Sequence, residues 1–135
     1  MNKYLLDTNI CIYLIKKKPK KILERLKTIH IFTVGISSIT LSELEYGVEK
    51  NQQPNKNRLA LIEFITPFEI YNFNDVAAKK YGEIRAVLEK KGKVIGPYDM
   101  LIAAHAKALN QILVTNNERE FNRISGLKVE NWVKY

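Results

Sequence analysis

The chain has 135 residues, of which 46% are hydrophobic and 27% charged, a size and balance typical of one folded domain and unlike those of disordered chains. Its 22 Lys and Arg residues exceed its 14 Asp and Glu residues, and the net charge of +8 favours a polyanionic partner such as nucleic acid or an acidic protein, although solubility alone would explain it equally well. The single cysteine excludes an internal disulfide and no apolar run approaches the roughly 18 to 20 residues that span a bilayer, so we expect one cytoplasmic domain over residues 1–135 with no membrane association.

The first half of the chain alternates short apolar runs with amphipathic segments. Tyr4–Leu6 predicts a strand, and a cap at Thr8 or Asn9 would begin the helix that follows it. A second amphipathic helix is expected after Pro19. Residues 32–36 are rich in strand formers and predict another strand, which is followed by capping hydroxyls and a further helix.

The second half of the chain repeats this alternation. Residues 51–57 are polar and predict a loop, after which a helix extends to Pro67. The later predicted elements are a strand at residues 68–73, a helix from Asn74 or Asp75 to Gly92, a helix from Pro97, and a strand at Ile112–Val114. Because parallel neighbours need crossover connections, the sequence predicts a mostly parallel central sheet with helices on both faces, a three-layer α/β/α arrangement.

Acidic and amide side chains follow the predicted strands. In a doubly wound sheet, functional groups collect beyond the carboxyl ends of the strands. Asp7 follows the first strand, Glu43 lies in the opening turns of the helix after the second, and Asn117 and Glu120 follow the last. Asp99 lies near the start of a helix that leads back into a parallel strand, and such a helix must begin at the same edge. We therefore expect these side chains to converge.

A convergent set of carboxylates predicts a metal site, because clustered acids raise one another's pKa unless a cation neutralises them. Oxygen ligands select Mg²⁺, with Mn²⁺ as a possible substitute, whereas His30, His105 and Cys11 are isolated and lack zinc-binding spacing. We expect His105 to be packed or hydrogen-bonded within a helix face. Mg²⁺ activates bound water and neutralises a leaving oxygen, so the predicted chemistry is hydrolysis of a phosphodiester.

Two lysine-rich segments lie near these acids in the sequence. Residues 16–21 follow Asp7, and residues 90–93 precede Asp99. We expect both segments to flank the site and attract a polyanion, and solvated helix surfaces are the alternative explanation.

The individual acids also have ordinary structural explanations. Asp7 could simply cap a helix, and Asp99 could simply complement the dipole of a helix. In isolation such explanations are at least as good as the functional one, but the combination of acids from distant segments favours a site. Glu43 and Glu45 point to different sides of their helix, so at most one of them enters the site.

Four segments together form a pattern that covers nearly the whole chain. They are Leu5-Leu6-Asp7-Thr8-Asn9, Ser42-Glu43-Leu44, Tyr98-Asp99 followed by an alanine-rich helix, and Val114-Thr115-Asn116-Asn117 leading to Glu120-Phe121. This pattern resembles the VapC-type toxins, which are PIN-domain ribonucleases. Each segment alone is weakly specific, whereas their order and spacing make the combined match specific.

The resemblance implies a PIN-like α/β/α fold, a homodimer and the role of toxin in a type II toxin–antitoxin system. It further implies Mg²⁺-dependent endonucleolytic cleavage of RNA, with tRNA among the candidate substrates, and neutralisation by a cognate VapB-type antitoxin that also binds operator DNA. By motif position, the metal-binding acids and the polar residues that orient them are, respectively, Asp7, Glu43 and Asp99, and Thr8, Asn9 and Thr115.

One position departs from the pattern of the family. Asn117 stands where many PIN domains have an aspartate, so we expect Glu120 to compensate or a second metal ion to bind weakly. Both residues are therefore assigned to an outer part of the catalytic set.

Other functions fit the sequence less well. A haloacid-type phosphatase needs Asp-x-Asp where Asp7 is followed by Thr8 and Asn9, and the acidic pair of a receiver domain has no counterpart. The remaining alternative is a catalytically inert module whose acids hold an ion or a basic partner, and metal-dependent cleavage separates it from the nuclease.

Overall fold

The structure, a computed structural model, describes residues 1–134. Within this range five strands form one sheet: β1 (Tyr4–Leu6), β2 (Val34–Ser37), β3 (Glu69–Tyr71), β4 (Ile112–Val114) and β5 (Val129–Glu130). Their order is β3-β2-β1-β4-β5, and every neighbouring pair is parallel. The expected parallel sheet is confirmed, with β5 as a strand that the sequence analysis did not predict.

Seven α-helices connect the strands of the described range. They are α1 (Thr8–Lys16), α2 (Lys20–Lys27), α3 (Ser38–Glu49), α4 (Pro54–Ile65), α5 (Asp75–Lys90), α6 (Pro97–Leu109) and α7 (Glu118–Phe121), and a short 3₁₀ helix spans Ile31–Thr33. None of the helices in residues 1–134 has the length and apolar character needed to cross a membrane.

Several predicted boundaries are wrong, among them those of α1, α4 and β2, and β3 is shorter than the strand predicted at residues 68–73. Asp7, not Thr8 or Asn9, is the N-cap of α1, and its side chain accepts the Thr8 backbone N–H. The helix α4 begins at Pro54, inside the segment predicted as a loop, because the fixed φ of proline suits the first helical position and its missing N–H has no partner there to lose. The strand expected from residue 32 begins only at Val34, after the 3₁₀ helix.

The sheet has an apolar core on each side. Successive residues of β1 point to opposite sides, so Tyr4 and Leu6 join one cluster and Leu5 joins the other. The first cluster is completed by residues of α1 to α4 and by Trp132, and the second by residues of α5, α6 and α7. This arrangement confirms helices on both faces of the sheet.

The strand order places one edge of the sheet at a topological switch point. The central strand β1 lies between β2 and β4. From β1 the chain adds β2 and β3 on one side and later β4 and β5 on the other, so the order of the strands reverses at β1. The carboxyl ends of β1, β2 and β4 are followed directly by Asp7, by α3 and by Thr115. The Asp7 backbone N–H donates to the Val114 carbonyl at 2.9 Å, which fixes the exit of β1 against the exit of β4.

Candidate active site

Asp7 stands at the carboxyl end of the central strand and is held by two donors. Its Oδ1 accepts the Thr8 backbone N–H at 2.8 Å, and its Oδ2 accepts the Thr115 hydroxyl at 2.7 Å. The side chain is only 3% exposed, and burial raises its pKa, an effect that the two hydrogen bonds partly offset. Asp7 is therefore a carboxylate of fixed orientation whose charge is poorly solvated.

Glu43 reaches the same place from the second turn of α3. The Thr8 hydroxyl donates to Glu43 Oε1 at 2.7 Å, and the charge of Glu43 contributes to the raised pKa of Asp7. Glu45 is directed elsewhere, since its Oε1 pairs with the Arg58 guanidinium at 2.6 Å. The structure thus brings Glu43, and not Glu45, to the end of β1, with Thr8 as the link between the two acids.

The segment after β4 supplies a third group of polar side chains. Thr115 is fully buried, and while its hydroxyl donates to Asp7 it also accepts the Asn117 backbone N–H at 3.0 Å. The Asn117 side-chain Nδ2 donates to Glu120 Oε2 at 3.1 Å. Asn117 therefore orients the carboxylate of Glu120, which lies one turn farther along α7.

Asp99 lies in the first turn of α6 and is half-buried. Its pKa is raised to about 6, first by burial and then by the negative charges of Asp7, Glu120 and Glu43. These three charges reach Asp99 from three other segments of the chain. All four carboxylates predicted for the site therefore share one electrostatic environment at the carboxyl edge of the sheet.

This environment fits a hard divalent cation held partly through water. Within residues 1–134, no three Asp, Glu, His or Cys side chains already stand close enough to ligate one ion directly. The charges of the acids nevertheless act on one another, and the described ion pairs engage other acids, such as Glu45 with Arg58. Mg²⁺ typically binds through one or two carboxylates and keeps several waters, which suits such an open cluster.

A groove of about 770 Å³ leads away from these acids between α1, α3 and α4. Thr8, Glu43 and Tyr98 line its acidic end, and Lys16 and Lys50 lie among its other lining residues. Its walls carry apolar side chains, namely those of Ile12, Ile15, Leu44, Val48 and Leu61. Sequence reasoning missed this groove.

Asn9, the third polar residue predicted to orient the acids, has a different position. It is exposed and lines the groove beside Thr8. No hydrogen bond described within residues 1–134 joins its side chain to the carboxylates. The hydroxyls of Thr8 and Thr115 contact Glu43 and Asp7, and the orienting role of Asn9 stays a prediction.

The lysines after Asp7 do not flank the site as expected. The nine residues of α1 rise by about 13 Å, so the lysines of residues 17–21 lie beyond the far end of this helix. Only Lys16 of this segment lines the groove. In the second segment, Lys90 belongs to the last turn of α5, while Lys91 and Lys93 are exposed in the loop before α6.

Comparison with known proteins identifies the family of this fold and site. The PIN domain matches residues 4–127 of the chain. The chain is 47% identical over 133 residues to the "tRNA(fMet)-specific endonuclease VapC" of Shigella flexneri, which covers 98% of this chain and 99% of that protein. It is 45% identical over 133 residues to "Ribonuclease VapC2" of Haemophilus influenzae, a match that covers 98% of this chain and 100% of that protein. The chain belongs to the VapC group of PIN-domain proteins.

Solved structures of VapC-group complexes share the fold over nearly the whole chain. A DNA-bound VapBC from Salmonella typhimurium has a TM-score of 0.91 at 46% identity and covers 98% of this chain and 99% of that one. VapBC2 from Rickettsia felis, bound to a promoter DNA fragment, has a TM-score of 0.90 at 44% identity, with 96% and 98% covered. The predicted fold and VapC resemblance are confirmed, while the roles of individual acids stay predictions.

Proposed function

We propose that this VapC-group protein is the toxin of a type II toxin–antitoxin pair and a metal-dependent endoribonuclease that acts in the cytoplasm. The observation that carries the proposal is the convergence of acids at the carboxyl edge of the sheet, where the Thr115 and Thr8 hydroxyls hold Asp7 and Glu43 at 2.7 Å each. Burial, together with the charges of Asp7, Glu120 and Glu43, raises the pKa of Asp99 at the same edge. Acids from four separate segments thus create one region of negative charge, which a divalent cation would neutralise. The printed names of the relatives favour RNA as substrate, and tRNA in particular.

Three of the acids would hold the ion directly. Asp7, Glu43 and Asp99 are the proposed ligands of Mg²⁺, which Mn²⁺ can replace, and Asn117 with Glu120 would contact the waters around it. When bound, the ion supplies an activated water and compensates the charge that develops during phosphodiester hydrolysis. Asp99 must be ionised to act as a ligand, because metal ligation needs the deprotonated carboxylate. Since its pKa is raised to about 6, the group is mostly protonated below pH 6.

Two hydroxyl groups would keep these ligands in place. The Thr115 hydroxyl donates to one oxygen of Asp7, whose other oxygen accepts the Thr8 backbone N–H, and the Thr8 hydroxyl donates to one oxygen of Glu43. The fixed oxygens leave the remaining lone pairs for the ion and its waters. The negative end of the groove would otherwise repel an RNA backbone, and the cation is what allows a phosphate to approach.

The groove offers a docking place for a cognate VapB-type antitoxin. VapB-containing complexes with DNA are known for two relatives of this chain. The apolar walls of the groove suit the apolar side of a helix, and the acids at its end suit a basic side chain of the partner. Such a partner would cover the carboxylates, and we propose that this contact neutralises the toxin and that its DNA-binding part carries the toxin homodimer to operator DNA.

Cleavage of cellular RNA by antitoxin-free protein tests this proposal. Purified protein is incubated with total RNA in Mg²⁺, Mn²⁺ or EDTA, and new RNA ends are mapped. Wild-type protein should give discrete cuts that need the metal, and Asp7→Asn should give none, although asparagine retains the helix cap. Asp75→Asn, which changes an exposed acid in the first turn of α5, is the matched control and should cleave normally.

The opposite result would assign a different function. Intact RNA in every metal, from folded wild-type protein, would favour an inert module whose acids bind an ion or a basic partner. Full activity of Asp7→Asn would leave the nuclease in place but remove the proposed centre.

A further inference from the structure

His105 is a polar side chain inside an apolar helix face. It lies in α6 between Ala104 and Ala106, is 1% exposed, and its pKa is lowered because burial penalises the charged form, so the ring is neutral near pH 7. The rings of Tyr71 and Phe73 meet it edge-on, with centroids 6.4 and 5.4 Å away. An imidazole enclosed in this way has little freedom to turn, and its nitrogens need partners within the protein.

The described partner of His105 is a residue that begins another helix. His105 Nδ1 and Ser37 Oγ share a hydrogen bond of 2.8 Å between residues 68 positions apart. The buried hydroxyl of Ser37 also accepts the Ile39 backbone N–H at 3.0 Å and so caps α3. One hydroxyl therefore joins α6, the end of β2 and the first turn of α3.

Each of the two helices that meet at this junction also carries one of the acids. Glu43 follows Ser37 by six residues on α3, and Asp99 precedes His105 by six residues on α6. At a rise of 1.5 Å per residue, each acid lies about 9 Å along its helix from the junction. Helices tied together at that distance cannot slide or rotate against each other without moving one acid relative to the other.

We infer that His105 and Ser37 form a positioning pair that sets the placement of Glu43 relative to Asp99, and with it the affinity for the divalent cation. The inference rests on the proposed function, since it assigns both acids to the metal. His105 transfers no proton in this role and acts only through the two helices that it connects. The expected behaviour is that of partners behind metal ligands, whose loss lowers metal affinity or activity while the fold persists.

Two substitutions and one matched control test the pair. His105→Leu removes the imidazole, and Ser37→Ala removes the hydroxyl. Thr33→Val is the control, because Thr33 is equally buried and its hydroxyl donates to the His30 carbonyl, but it lies at the opposite end of β2. Circular dichroism and thermal unfolding establish that each variant is folded at the assay temperature.

The readouts are Mn²⁺ binding by calorimetry and RNA cleavage at varied metal and RNA concentrations. His105→Leu and Ser37→Ala should each weaken Mn²⁺ binding about tenfold and lower kcat, with KM for RNA within about twofold. The double variant should lose no more Mn²⁺ affinity than the single variant with the larger loss, because both substitutions remove the same hydrogen bond. His105→Asn should recover most of the affinity, since its amide lies close to the position of Nδ1.

Several results would overturn the inference. A folded His105→Leu variant with the Mn²⁺ affinity of wild type would exclude the positioning role. A loss of Mn²⁺ affinity in Thr33→Val equal to that in His105→Leu would exclude it as well. If wild-type protein binds Mn²⁺ more tightly than His105→Leu but cleaves no RNA, the positioning pair is supported and the proposed nuclease is rejected. A wild type that cleaves RNA with variants that cleave equally well would reject the pair and keep the nuclease.

Discussion

Replacing Asp99 by asparagine should stabilise the metal-free protein while abolishing cleavage. The pKa of Asp99 is about 6 in the folded chain against 3.8 for an ordinary aspartate. Because the folded-state value is the higher one, protonated Asp99 favours folding, and this contribution is complete below pH 3.8 and is lost as the pH rises through about 6. At pH 8 the wild-type protein therefore carries the full cost of the ionised carboxylate.

The size of this cost follows from the pKa. The difference between the two values corresponds to about 3 kcal/mol at 1.36 kcal/mol per pKa step. Since Asp99 is only half-buried, solvent screening reduces the figure to about 1.5 kcal/mol. For a chain of this length, a change of that size corresponds to a rise in Tm of about 4 to 8 °C.

Thermal unfolding of wild type and Asp99→Asn in EDTA, at pH 8 and pH 5, measures the effect. The variant should be more stable at pH 8, and its advantage should fall to about half at pH 5, where the folded wild type is mostly protonated. Asp75→Asn, at an exposed position in the first turn of α5, should show no stabilisation. Equal stability of wild type and Asp99→Asn at pH 8, or an advantage independent of pH, would refute the reasoning that burial and the neighbouring acids penalise the ionised form of Asp99.

Three further predictions concern the metal, the orienting hydroxyl and the groove. The Mn²⁺ concentration for half-maximal cleavage should fall as the pH rises from 5.5 to 7.5, because Asp99 must lose its proton to bind the ion, and a flat profile would argue against Asp99 as a ligand. Thr115→Val leaves Asp7 without its buried hydroxyl donor, so the free energy of unfolding should fall by about 1 to 3 kcal/mol in urea titrations, and cleavage should weaken. A variant as stable and as active as wild type would remove the orienting role of Thr115. Ala60→Arg fills the groove and should weaken antitoxin binding, measured by calorimetry, at least about tenfold without loss of cleavage. Ala86→Arg, on the exposed side of α5, is the control. Unchanged antitoxin binding by Ala60→Arg would place the antitoxin elsewhere.

The four carboxylates illustrate how far sequence reasoning reaches. Their convergence could be predicted because parallel strands end at one edge, and each acid follows a strand or begins a helix at that edge. What the sequence could not provide was the cap of α1, since Asp7, Thr8 and Asn9 are all good cap residues. In the structure the cap is Asp7, whose other oxygen accepts the hydroxyl of Thr115, a residue that directly follows β4 and lies 108 positions farther along the chain.

The groove and the lysines show where the sequence misled. The α1 segment carries Ile12 and Ile15 in addition to the buried Ile10 and Leu14. These two side chains are only partly buried against the core, and part of their apolar excess is left to line the groove. That excess was the available signal for a groove. The lysines after Asp7 were expected near the site because they are close to it in sequence. The helix α1 is about 13 Å long, however, and these lysines lie at or beyond its far end.

By itself, the sequence determined the alternation of strands and helices, the parallel sheet, the edge at which the acids meet and the resemblance to VapC proteins. These follow from local patterns, from crossover connections and from motif order, all of which are written along the chain. Only the tertiary structure decided which hydroxyl orients which acid, that His105 reaches the cap of α3, and that a groove opens beside Glu43. Hydrogen bonds between segments 35 or 68 residues apart depend on how helices pack on the sheet, and no local pattern encodes that packing.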